Sequence, residues 1–85
     1  MEADAPKDAK QVITGLLAER DPGKTICPSE AARVLGGDDG FRPFMEPVRA
    51  AARELIRDGQ IDATQHGEVV DLDSAKGPIR LRSRH

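Results

Sequence analysis

The chain has one cysteine, no tryptophan, no tyrosine and only two phenylalanines among its 85 residues. A single thiol cannot close an intramolecular disulfide and cannot supply a cysteine-based metal cluster. With Phe41 and Phe44 as the only residues of the Phe, Tyr and Trp class, the platform on which single-stranded bases usually stack is missing, which argues against an RNA- or single-strand-reading module. No apolar run approaches the ~20 residues that span a bilayer. The opening Met1-Glu2-Ala3-Asp4-Ala5-Pro6 lacks the basic and apolar regions of a signal peptide. The expectation is a cytoplasmic protein with no membrane partner.

Excess positive charge is also missing. The net charge is −2, and it is unevenly spread: residues 1–40 carry 5 basic and 8 acidic side chains, residues 41–85 carry 8 and 7. Any contact with a polyanion must therefore come from local patterning and not from the global field. Eighty-five residues suit one small domain with one core, and are too few for a catalytic cleft between two lobes.

What is present is strongly patterned. Residues 1–5 read as a flexible acidic leader, and Pro6 suits the first turn of a helix. Ala9, Val12, Ile13, Leu16 and Leu17 follow the i, i+3, i+4, i+7, i+8 spacing of a core-facing helical stripe, which ends at Arg20 before the breaker Asp21-Pro22-Gly23. Lys24-Thr25-Ile26 is a short extended segment. Pro28 opens a second helix with Glu30 in its first turn, packed through Ala31, Ala32, Val34 and Leu35 and stopped by Gly36-Gly37. Pro43 and Pro47 each suit a helix start and neither suits an interior, so the third helix is placed at about residues 47–58, with an irregular turn before it.

That third helix is the most informative stretch. Val48, Ala51, Ala52 and Leu55 fall on one side, and Arg49, Arg53 and Arg57, four apart, fall on another. One face packs and the other can meet phosphates. Ile61 and Ala63 then alternate with Asp62 and Thr64, His66-Gly67 supplies a two-residue turn, and residues 68–72 form the return strand. Lys76-Gly77-Pro78 turns the chain into residues 79–82, with Ile79 and Leu81 inward and the arginines outward. Helix, strand, helix, helix and hairpin, followed by a possible fourth strand, outline a winged helix. The fold class is α+β, with three helices and a small antiparallel sheet over residues 6–82 and a flexible tail over 83–85.

Several patterns have a chemical and a plain reading. The Arg49, Arg53, Arg57 stripe can bind phosphates or read guanine bidentately; alternatively it is a solvated face, with Glu46 and Glu54 three residues before Arg49 and Arg57 as intrahelical partners. Arg80, Arg82 and Arg84 can add backbone contacts, or form a ragged basic tail. Cys27, just before the second helix, is either a thiol activated by the helix dipole or a small residue filling a helix entry. Gly23-Lys24-Thr25 mimics the end of a phosphate-binding loop, but Ala18 stands where that loop needs glycine. Asp71-Leu72-Asp73 with Gly77 has the wrong spacing for a calcium loop. No pair of carboxylates is forced together for acid/base work.

Ile26-Cys27-Pro28-Ser29-Glu30-Ala31-Ala32-Arg33, Val48-Arg49 with Ala51-Ala52 and Leu55, Gly59-Gln60-Ile61, Gln65-His66-Gly67 and Gly77-Pro78-Ile79-Arg80-Leu81 together resemble a bacterial family of unknown function with a winged-helix fold. The resemblance runs from about Ala9 to Arg82, and Phe41 stands where such families often have Trp. It implies the fold and carries over no catalytic residue. It also suggests that Arg33, three residues from Glu30, clamps the second helix to the third helix or to the last strand.

The resulting expectation is a non-enzymatic domain that binds duplex DNA, the third helix entering the major groove and the Gln65 to Glu68 wing touching the backbone. The candidate contact residues are Arg42, Arg49, Arg53, Arg57, Gln65, His66, Arg80 and Arg82. No catalytic residue, cofactor, metal or small-molecule ligand is implied. The alternatives are a module that binds a protein partner or a second copy, and a redox switch at Cys27.

Overall fold

The computed structural model describes residues 7–21 and 23–84. The leader at residues 1–5, the helix start at Pro6, Pro22 of the breaker and His85 lie outside these. The described residues form helix α1 (Lys7–Ala18), strand β1 (Thr25–Ile26), helix α2 (Pro28–Gly40), a 3-10 turn (Arg42–Phe44), helix α3 (Met45–Arg57) and strands β2 (Ile61–Gln65), β3 (Glu68–Val70) and β4 (Arg80–Ser83). The sheet is antiparallel in the order β1-β4-β2-β3. This is an α+β, winged-helix-like architecture of three helices and a small four-stranded sheet.

One core joins the two layers. Ala9, Ile13 and Leu17 of α1, Ala31 and Ala32 of α2, and Val48, Ala51, Ala52 and Leu55 of α3 close over Ile26, Ile61, Ala63, Leu72, Ile79 and Leu81. Small residues dominate α2 and α3 at this seam, so the helices lie close to each other and to the sheet. The pairing of Ala63 with Leu81 and of Ile26 with Leu81 puts these side chains on the helix-facing side of the sheet, as a period of two requires.

Several local expectations are corrected. Val34 is 60% exposed, because the 3.6-residue period rotates it off the side shared by Ala31, Ala32 and Leu35. Helical geometry does break at Gly37 (φ 80°, ψ 169°), but a further turn carries α2 on to Gly40. α3 starts at Met45, two residues early, with Pro47 inside its first turn, where no intrahelical N–H bond is lost. β3 stops at Val70 and not at residue 72, because the Asp71 carboxylate accepts the Asp73 N–H at 3.0 Å and the Asp71 carbonyl accepts from Ala75 at 2.9 Å. The chain turns there, while Leu72 still reaches the core. β4 runs to Ser83, and the Arg84 N–H donates to the Gln60 carbonyl at 3.0 Å, so the segment around residue 83 is sheet and not a ragged tail. Arg33 is exposed, 4.7 Å from the Phe41 ring centre and 3.9 Å from Asp38. It clamps neither α3 nor β4. Glu30, its suggested neighbour, instead binds Arg20 and accepts the Cys27 N–H at 2.9 Å, closing the start of α2.

Among the described residues no helix is long and apolar enough to cross a membrane.

Candidate nucleic-acid interface

α3 carries its arginines beside the segment that links β3 to β4. The Arg53 guanidinium donates through Nε to both Asp73 oxygens, at 2.9 and 3.1 Å, and through Nη2 to Oδ1 at 2.7 Å. These bonds raise the Arg53 pKa and hold the Asp73 carboxyl below its ordinary range. Arg49 donates to the Leu72 carbonyl at 3.3 Å. Arg57 is exposed and has no hydrogen bond or ion pair with another described residue. Two of the three arginines in the stripe thus have partners from a segment about twenty residues away. The helix's own carboxylates are used differently from the expected intrahelical pairing: Glu54 meets Lys10 of α1, and Glu46 is exposed, raising the Arg53 pKa only through space.

The hairpin is tight because both of its loop residues take positive φ, 52° at His66 and 83° at Gly67. Two left-handed residues match the twist of the flanking strands. His66 is exposed at the tip, whereas Gln65 faces back, its Nε2 donating to the Lys76 and Pro78 carbonyls. Gln65 therefore braces the linking segment against the hairpin. Since the same segment also meets Arg49 and Arg53, helix stripe and hairpin are continuous through residues 71–78.

The other candidates lie elsewhere. Arg42 is exposed in the turn before α3, 5.8 Å from the Phe41 ring centre. Arg80 donates to the Thr25 hydroxyl at 2.8 Å, to the Thr25 carbonyl at 3.2 Å and to Cys27 Sγ at 3.3 Å. Arg82 lies 3.8 Å from Asp62. The structure thus separates the eight residues into a helix-and-hairpin group and a β4 group, with Arg42 apart from both.

Asp73 and Asp62 were missed in the sequence. Each partners arginines more than fifteen residues away, so no local spacing announces it. The Asp71-Leu72-Asp73 pattern that resembles a poor calcium loop is instead a turn whose second carboxylate holds Arg53.

Cys27 is the residue before α2 and is half-buried. The side-chain partner of its sulfur is Arg80 and not an imidazole that could act as a base. It lines a cleft of about 210 Å³ with Pro28, Ser29, Met45, Arg49, Gly77, Pro78 and Ile79. Two segments about fifty residues apart, Cys27-Pro28-Ser29 and Gly77-Pro78-Ile79, are brought together there. A family model described as protein of unknown function (DUF3253) matches residues 6–84, a span that includes every element of this site. The chain belongs to the DUF3253 family. No curated protein matches it in sequence. Membership of DUF3253 covers the whole arrangement of α3, hairpin and β4, and assigns no activity to it.

Proposed function

We propose that this DUF3253 domain is a non-enzymatic winged helix that binds duplex DNA. The observation that carries the reading is the continuity of the α3 arginines with the hairpin through residues 71–78, a helix and a wing presented side by side. Arg57 has no competing partner among the described residues and makes the first phosphate contact. Arg53 is 41% exposed and its partner Asp73 is 56% exposed, so a phosphate can replace the carboxylate without any core residue moving. Because the linking segment lies along α3, the helix contacts the backbone first, and this supports phosphate positioning more than base reading. Fluorescence anisotropy with a labelled duplex at low ionic strength tests this. Arg53→Ala and Arg57→Ala together should lower the affinity at least several-fold, and unchanged binding would sink the proposal.

A protein-binding role is favoured by one specific feature. Asp73 neutralises Arg53, while Asp39, Glu46, Asp58 and Glu68 are exposed, a charge pattern suited to a basic partner or to a second copy. Light scattering and pull-down on the purified chain address it, and a strict monomer that recovers no partner would count against it.

A further inference from the structure

The face of the sheet turned away from the helices carries a row of arginines, and two of the sequence's candidate contacts, Arg80 and Arg82, belong to this row and not to the α3 surface. In β4, Leu81 points into the core, so Arg80 and Arg82 point the other way, and Arg84 continues the row. Their neighbours on this face are fixed by register: Arg82 stands opposite Thr25 on one side and Asp62 on the other, and Arg80 stands opposite Thr64. Asp62 is 9% exposed and is shared, with Arg84 Nε at 2.8 Å and Arg82 Nη2 at 3.8 Å. The partners of Arg80, by contrast, are a hydroxyl, a carbonyl and a thiol. Among the described residues, three guanidinium groups are therefore set against one carboxylate, and there the row keeps a surplus of two positive charges in a chain whose net charge is −2.

We propose that this outer sheet face is a binding surface for the sugar-phosphate backbone of a nucleic acid, independent of α3. Charge complementarity selects a polyanion. The geometry selects an extended one: alternate residues of a strand are roughly 6.7 Å apart, close to the separation of successive phosphates along a nucleic-acid strand. Arg80 is held to β1, and Arg82 and Arg84 are held to β2, so the guanidiniums are ordered before a ligand arrives. Phe41 and Phe44, the chain's two phenylalanines, lie in the segment before α3, so neither is on the sheet face to stack a base. It fits a backbone and does not read sequence.

The test is a titration of the isotopically labelled full chain with duplex DNA, followed by amide chemical shifts, beside two variants that keep all three arginines. Asp62→Asn removes the shared carboxylate and should tighten binding several-fold, steepening the slope of log affinity against log salt by up to about 0.9. Thr25→Glu places a carboxylate beside Arg80 and should weaken binding by a similar factor. Shifts centred on Thr25, Asp62, Thr64 and Arg82 support the proposal and are not expected from α3 docking alone. Shifts confined to α3 and the hairpin, with both variants binding as wild type, would overturn it and leave the α3 reading intact. Absence of any binding at low salt would overturn both.

Discussion

Arg53 on α3 and Asp73, twenty residues later, form a two-pronged ion pair with three hydrogen bonds between 2.7 and 3.1 Å. It sets the charge that α3 offers to a ligand, since the most central arginine of the stripe is already matched by a carboxylate of the same chain.

Asp73→Asn should therefore raise affinity for duplex DNA several-fold at low salt while leaving the melting temperature nearly unchanged. The pair is exposed, and such pairs add little to stability, but the carboxylate competes directly with phosphate for Arg53. Anisotropy and a thermal melt on the same sample check the two halves. Weaker binding by the variant would show that Asp73 does not act as a competitor.

The same pair has a pH signature. The Asp73 pKa is lowered chiefly by its hydrogen bonds with Arg53, so its contribution to stability is present above the ordinary carboxylate range and is lost as pH falls through the depressed value. Wild type should thus lose slightly more stability than Asp73→Asn between neutral and strongly acidic pH. Parallel urea titrations measure this, and an identical loss in both proteins would contradict it.

The helical layer shows how far the sequence is legible. Ala9, Ile13 and Leu17, and Val48, Ala51, Ala52 and Leu55, are buried where their spacing places them, because a helical stripe is a local property of the chain. His66-Gly67 was readable as a hairpin for the same reason. Arg53–Asp73, Arg84–Asp62 and Lys10–Glu54 were not, since each joins residues more than fifteen apart whose meeting depends on the packed fold. The expected pairs Glu46–Arg49 and Glu54–Arg57 followed a sound local rule, but partners on neighbouring elements took Arg49 and Glu54 instead.

Gly36 is constrained by contact and not by its backbone angle. A Cβ there would lie 2.6 and 2.8 Å from ring carbons of Phe44 and 3.1 Å from Phe41 Cα. Gly36→Ala should destabilise the fold by about 1–3 kcal/mol through overpacking, measured by urea unfolding. Gly15, inside α1, has nothing within 4 Å of such an atom, so Gly15→Ala should be neutral or stabilising by up to about 1 kcal/mol through better helix propensity. Equal effects at the two positions would refute the packing explanation.

Cys27→Ser separates a capping role from a redox role. Serine is a strong N-cap residue, and a hydroxyl can still accept from Arg80, so the variant should retain or exceed wild-type stability in a thermal melt. Duplex binding by wild type and by the variant should respond alike to oxidant. A response seen only with Cys27 present would revive the redox switch.

The most direct test of DNA binding by α3 is the dependence of duplex affinity on salt, measured for wild type and for the chain lacking the Arg49, Arg53 and Arg57 guanidiniums. Each duplex phosphate neutralised contributes about −0.9 to the slope of log affinity against log salt. The expected result is a wild-type slope that becomes shallower by roughly 1.8–2.7 when the three arginines are replaced, corresponding to two or three lost phosphate contacts. An unchanged slope, or a wild-type chain that does not bind duplex even at low salt, would contradict it.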